Sequence, residues 1–339
     1  MDRNESYYRR VVGSIGVSLL IFLLLFELFS VFVSFLLPWL KGVIAQNGIV
    51  AATVTDRVLY AAGYLLCFML PVAFLKLFIK RSGYSYQPMR APLRVSRYLP
   101  LLVLGGIALI FSAAYLNSLL MDFLVGDSTL QSTEQSAPLT TYEIVLEFLV
   151  VCLVPGICEE FLFRGAILSN CLPFGRANAV LISSLLFGLM HRNGSQIFYA
   201  FAAGILLGLV YEYTGSIWNC VILHTLNNSL SLLERVISDK ILDEILAYTY
   251  IYLVNVILFL LGIVSIVILM LRFFAERDTQ YKNGFFGKQL PACDAYAAYP
   301  IAPGRAVRLF FTPTMIVFLS MCAAQILLLM LLTLAGGLL

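Results

Sequence analysis

Charge is scarce in this 339-residue chain: Asp, Glu, Lys and Arg make up 12% of it, against 61% hydrophobic residues. A soluble domain carries roughly 25% charged residues, so this chain could not cover its own surface in water. The same composition excludes a disordered chain, a collagen and a coiled coil. The net charge of +3 gives no support to nucleic-acid binding. The composition therefore predicts a polytopic membrane protein.

Paired cysteines and long polar segments are also missing. None of the seven cysteines forms a CxxC pair, so the usual sequence evidence for a zinc knuckle or a thioredoxin-like redox site is absent. Six cysteines lie in or beside apolar runs, and Cys293 lies in a polar stretch. The longest polar stretches are 80–97, 122–141 and 276–308. We interpret the last of them as an interfacial loop or tether, not as a soluble domain.

Apolar runs that could cross a bilayer, which takes about 20 helical residues, occur nine times. They are 11–37, 58–79, 98–121, 142–170, 177–191, 196–213, 216–233, 245–271 and 309–335. The first run is longer than the roughly 7–15 apolar residues of a signal peptide, and no small-residue cleavage site follows it, so we expect it to be retained. The sequence predicts an all-α, multi-pass membrane helix bundle of about eight to nine transmembrane helices.

Basic residues are distributed unevenly between the connections. If the N-terminus is cytoplasmic, sixteen of the 22 Lys and Arg residues fall in cytoplasmic segments and five outside, while Arg164 lies within a span. Cytoplasmic segments of membrane proteins carry such an excess of positive charge. We therefore expect a cytoplasmic N-terminus in a protein of the cell membrane.

Ionisable side chains inside the spans mark the most informative region, because each costs about 2.5–3.5 kcal/mol to insert. Both histidines of the protein lie there. Three strings hold these side chains: CEEFLFRG with Glu159, Glu160 and Arg164; FGLMH with Phe187 and His191; and HTLNN with His224, Asn227 and Asn228. Their concentration in one part of the chain predicts a functional site.

Helical geometry sorts these residues by face. Positions four apart share a face, so we expect Glu160 to pair with Arg164, and His224 to align with Asn228. Glu159 is turned by about 100° from Glu160, which leaves it free for proton chemistry. Counting about 1.5 Å per residue places the site in the half of the membrane nearer the cytoplasm, so we expect it to open in that direction.

The order EExxxR, FxxxH and HxxxN in successive helices resembles the CAAX-type prenyl endopeptidases and bacteriocin-processing or self-immunity proteins, also called CPBP or Abi-type intramembrane proteases. The resemblance covers about 145–233. It implies a glutamate-dependent endopeptidase without a metal, acting on a membrane-associated peptide or lipidated protein. The implied roles are water activation by Glu159 and His191, oxyanion stabilisation by His224 and Asn228, and structural support by Glu160 and Arg164.

Three alternatives stay open. Two histidines and a glutamate are also the ligand count of a catalytic zinc site, although the spacing is not HExxH. Intramembrane Glu and His residues also relay protons in transporters. A non-catalytic self-immunity or partner-binding membrane protein is the third alternative.

This interpretation divides the chain into three parts. We expect N-terminal transmembrane helices over 1–141, a four-helix catalytic core over 142–235, and C-terminal transmembrane helices over 236–339 with a polar loop at about 276–308. Glu27 is a lone acid in the first run, and the motifs assign it no role.

Overall fold

The computed structural model describes residues 2–46, 48–125, 139–241, 243–283 and 299–336. Over these residues the chain forms ten helices and no strand, which confirms the predicted all-α bundle. The helices are α1 Arg3–Ala45, α2 Ile49–Arg81, α3 Leu99–Val125, α4 141–174, α5 Arg176–Met190, α6 Gly194–Thr214, α7 Ile217–Lys240, α8 Glu244–Asn283, α9 Pro303–Phe310 and α10 Pro313–Gly336.

Each of the nine predicted runs corresponds to one long helix, and the last run, 309–335, also includes the end of α9. Six of these helices, α1, α2, α3, α6, α8 and α10, are long and apolar enough to cross a membrane, so the protein is an integral membrane protein with several spans. The other three are α4, α5 and α7, which carry or adjoin the polar motifs. Helix α5 has only 15 residues, and residues 162–174 of α4 are all buried.

Helix α4 is irregular around the motif that it carries. Its hydrogen bonding becomes π-helical over Phe148–Leu153 and again over Phe161–Leu168. The α-helical turn between them is Val154–Glu160, which ends in Glu159 and Glu160. Short π-helical segments are rare and occur frequently at functional sites.

An extended segment over 82–97, which we call the strap, crosses one end of the bundle. The Gln87 peptide is held on both sides by the Asn170 amide, with N–H to Oδ1 at 2.8 Å and Nδ2 to the Gln87 carbonyl at 3.2 Å. The Arg90 N–H donates to the Tyr211 hydroxyl at 2.7 Å. These bonds fix the strap against the ends of α4 and α6.

Other contacts define the opposite end of the bundle. Arg57, near the start of α2, pairs with Glu147, near the start of α4, at 2.5 Å. Lys240, at the end of α7, donates to the Leu139 carbonyl at 2.6 Å. Segments that the nine-span topology places on the same side therefore meet in the structure. The assignment of either end to the cytoplasm stays a prediction.

The predicted loop at about 276–308 is partly helical. Helix α8 continues to Asn283, and α9 forms beyond residues 284–298, which lie outside the described part of the chain together with Cys293. The Tyr299 N–H donates to the Pro173 carbonyl at 3.0 Å, which fixes the segment before α9 to the end of α4. Composition missed this helix because contacts with distant parts of the chain hold it in place.

Candidate active site

The expected ion pair between Glu160 and Arg164 is present and fully buried. Arg164 Nη1 lies 2.8 Å from Glu160 Oε1, and neither side chain is exposed. Arg164 Nη2 also donates to the Gly204 carbonyl of α6 at 3.1 Å. The guanidinium lies 4.5 Å from the centre of the Phe187 ring of α5. Arg164 therefore joins α4 to α5 and α6.

Glu160 also holds His224 of α7. His224 Nδ1 lies 2.8 Å from the same oxygen of Glu160 that accepts from Arg164. A carboxylate paired with a guanidinium can only accept hydrogen bonds, so Nδ1 carries the hydrogen. The other ring nitrogen, Nε2, lies 3.9 Å from Glu159 Oε2. Glu160 thus fixes the ring with its free nitrogen toward Glu159.

Glu159 is held by a residue that none of the motifs contains. The Tyr64 hydroxyl of α2 donates to Glu159 Oε1 at 2.5 Å, while Oε2 lies on the side of His224. The carboxylate is largely buried, with 8% of the residue exposed. No spacing rule connects Tyr64 with Glu159, because 95 positions separate them.

His191 directly follows α5. Its Nδ1 lies 2.9 Å from the Phe187 carbonyl oxygen. A carbonyl can only accept, so Nδ1 carries a hydrogen, and Nε2 of the neutral ring is left as an acceptor. The Phe187 ring lies edge-on to both histidines, 5.1 Å from His191 and 5.9 Å from His224 between centroids. Phe187 therefore forms the wall between the two imidazoles.

His191 lines two cavities. The larger, of about 190 Å³, is lined by Glu159, His191, Tyr64 and Arg192, among others. The smaller, of about 40 Å³, is lined by His191, His224, Asn227 and Asn228, with further residues of α3, α6 and α7. A water needs about 10–15 Å³ of such space, so both cavities can hold water. Each of the four residues with predicted catalytic roles thus lines one of the two cavities, and His191 lines both.

Asn228 is the least constrained of these residues. Its Nδ2 donates to the Val151 carbonyl at 3.5 Å, a long contact. Asn227 lines the smaller cavity beside it. The Asn228 amide can therefore turn toward a group placed in that cavity.

A polar cluster borders the larger cavity and gives Glu27 a role in the structure. Arg192 and Gln325 both donate to Glu27 Oε1, Gln325 at 2.7 Å. Arg192 also lies over the Phe26 ring, 4.6 Å from its centre, and has a left-handed backbone with φ of 52°. Such a conformation is uncommon outside glycine and occurs often at functional sites. The cluster ties α1 and α10 to the turn between α5 and α6.

The position of this cluster differs from the expected opening of the site. His191 and Arg192 belong to the α5–α6 turn and Gln196 to the first turn of α6, at the end of the bundle away from the strap. At the strap end, Ser169 is only 3% exposed, and its hydroxyl lies 2.9 Å from the Tyr211 hydroxyl beneath the strap. Counting residues along α4 and α5 did not predict that the strap end is covered, because the strap belongs to a different part of the chain.

Among the residues that the structure describes, no group of three or more His, Cys, Asp and Glu side chains is placed to hold a metal ion. The metal-free mechanism stays a prediction.

A comparison with protein-family models matches residues 141–230 to the type II CAAX prenyl endopeptidase family, Rce1-like. The expected resemblance is confirmed over this segment. The Rce1-like segment runs from the start of α4 into α7, so it contains Glu159 and Glu160, both histidines and Asn228. Tyr64 and Glu27 lie outside it. Comparisons with curated proteins and with solved structures find no match.

Proposed function

We propose that this protein is an intramembrane endopeptidase that hydrolyses a peptide bond of a membrane-associated peptide or lipidated protein. The observation that carries the proposal is the shared cavity of Glu159 and His191, whose carboxylate and Nε2 are both acceptors for the protons of one water. The Rce1-like match over α4 to α7 supports CAAX-type endopeptidase activity in general.

In the proposed first step, a water in the larger cavity gives a proton to Glu159 while His191 Nε2 orients it. The water oxygen attacks the peptide carbonyl, and a new C–O bond forms as the carbonyl oxygen becomes an oxyanion. When the C–N bond breaks, the protonated Glu159 returns the proton to the leaving amine. A base and a proton donor of this kind typically contribute about 10²–10⁴ in rate.

The proposed oxyanion donors come from the smaller cavity. His224 can donate from Nε2 only as an imidazolium, because its Nδ1–H already points at Glu160. The carboxylate of Glu160 stabilises that cation, in the way an acid behind a catalytic histidine does. The Asn228 amide supplies a second donor. Donors fixed in advance at a developing charge are usually the largest single contribution to catalysis.

The first test is the turnover of Glu159→Gln, which keeps the size of the side chain and removes the base. Purified protein is incubated with a panel of peptides and lipidated peptides, and the products are read by mass spectrometry. We expect turnover to fall by about 10²–10⁴ while the protein stays folded.

Glu244→Gln, at the exposed start of α8, is the matched control and should keep full activity. Near wild-type turnover of Glu159→Gln would contradict the proposal. Metal analysis of the same sample distinguishes the zinc alternative: bound zinc, with activity lost on chelation, would replace the metal-free water activation.

A further inference from the structure

Tyr64 connects the candidate site with a helix outside the Rce1-like segment. It lies on α2, where its ring stacks on Phe68 and Tyr60, with centroids 4.7 and 6.3 Å apart. Its hydroxyl reaches Glu159 Oε1 at 2.5 Å, and its side chain lines the larger cavity. The stacked rings hold the hydroxyl at a fixed distance from the carboxylate.

A glutamate in a cavity needs such a partner in order to act as a precise base. Three side-chain torsions place its carboxylate, and a misplacement of about 1 Å can cost about 10²-fold in rate. A hydroxyl that donates to a carboxylate makes a charge-assisted bond, roughly twice as strong as a neutral one. Because this bond occupies Oε1, the other oxygen, on the side of His224, stays available to water.

We propose that Tyr64 is a positioning residue for Glu159. Its hydroxyl fixes the orientation of the carboxylate, so that one oxygen is held by α2 and the other accepts the proton of the water. This inference rests on the proposed endopeptidase function. It extends the catalytic apparatus from the four helices of the Rce1-like segment to the second helix of the chain.

The test compares Tyr64→Phe with Tyr60→Phe. Each substitution removes one hydroxyl and keeps the stacked ring, but in the described structure only the Tyr64 hydroxyl donates to Glu159. We expect kcat of Tyr64→Phe to fall about 10- to 100-fold, with KM changed by less than about twofold, because the base is displaced while the substrate surface is kept. Tyr60→Phe should leave both parameters near wild type.

Three results would overturn the proposal while leaving the endopeptidase function intact. The first is an unchanged kcat of Tyr64→Phe in a preparation in which Glu159→Gln is inactive. The second is a raised KM at constant kcat, which would make Tyr64 a substrate contact. The third is an equal loss in Tyr60→Phe, which would indicate general damage to α2. If Glu159→Gln retained its activity, that result would instead contradict the proposed endopeptidase function itself.

Thermal unfolding in the same detergent separates a positional effect from a loss of fold. Equal unfolding midpoints of Tyr64→Phe and Tyr60→Phe, together with a lower kcat of Tyr64→Phe, support the proposal. If Tyr64→Phe does not fold, the pair Tyr64→His and Tyr60→His repeats the comparison, because the N–H of a histidine ring lies nearer the backbone than a tyrosine hydroxyl and does not reach Glu159. In that pair, a wild-type kcat of Tyr64→His, or an equal loss of kcat in Tyr60→His, would contradict positioning by Tyr64.

Discussion

At the scale of single residues, Glu160 organises the charges of the core. One of its oxygens accepts from Arg164 and from His224, and its side chain has no exposure to solvent. A buried ion pair contributes little net stability when both partners are present, but removal of one partner leaves an uncompensated charge. The Glu160–Arg164 pair therefore affects stability mainly when one partner is lost, because the remaining charge is then buried without compensation.

Arg164→Ala should accordingly reduce stability and activity together. The carboxylate left without its partner costs roughly 3–5 kcal/mol, so we expect a low yield and a strongly lowered unfolding midpoint. The control is Arg305→Ala, which breaks the ion pair of Arg305 with Glu5 at the surface and should shift the midpoint little. A stable but inactive Arg164→Ala protein would show that Arg164 acts in the chemistry and not in the support of the site.

The sequence predicted most of the residues of the candidate site, and the reason is physical. Polar groups inside apolar runs are costly, so they mark the site, and helical periodicity places Glu160 beside Arg164. The sequence did not predict a role for Tyr64, because tyrosine is common in membrane spans and the chain has 18 tyrosines. Only the packing of α2 against α4 distinguishes the one that reaches Glu159.

At the scale of helices, small residues set the distance between α5 and α6. The sequence places Ala200, Gly204 and Gly208 on one face of α6, which predicts a close helix contact. The structure confirms it: a Cβ added to Gly204 would lie 2.9 Å from Ser184 Cα of α5. Gly204 also presents the carbonyl that accepts from Arg164.

Gly204→Ala should therefore force the two helices apart. A clash with backbone cannot be relieved by a side-chain rotation, and overpacking of this kind costs about 1–3 kcal/mol. Gly208→Ala is the matched control, since its Cβ would meet the Val180 methyl at 3.1 Å, where a side chain can move. Unfolding midpoints should rank wild type, Gly208→Ala and Gly204→Ala in falling order. Equal midpoints for the two variants would argue against a backbone contact.

The helices themselves were predictable, but two elements between them were not. Apolar runs locate the spans because a bilayer sets their length. The strap and α9 are instead fixed by hydrogen bonds to α4 and α6, such as Gln87 with Asn170 and Tyr299 with Pro173. Contacts between distant segments leave no periodic pattern in a single sequence.

At the scale of the whole molecule, the two ends of the bundle differ. The strap covers one end, and the α5–α6 turn borders the larger cavity near the other. Basic residues predict that the strap end is cytoplasmic. If so, the cavity faces away from the cytoplasm, and the substrates are exported or externally anchored peptides. The opposite orientation would suit lipidated proteins of the cytoplasm.

Cysteine labelling can determine the orientation. Leu93 of the strap is 90% exposed, and Ile245, at the start of α8 near the opposite end, is 80% exposed. The six described native cysteines are buried, so only Cys293 needs replacement. With a membrane-impermeant maleimide, we expect Ile245→Cys to react in intact cells and Leu93→Cys only in inside-out vesicles. The reverse pattern would overturn the predicted topology.

The π-helical segments of α4 have a consequence for how this chain can evolve. Each lies beside the turn that carries Glu159 and Glu160. Adding or removing one residue in a helix rotates everything beyond it by about 100°, enough to turn a carboxylate away from its cavity. Loops absorb such length changes readily. In α4, the number of residues is itself a determinant of the chemistry, so insertions and deletions among relatives should fall outside 148–168.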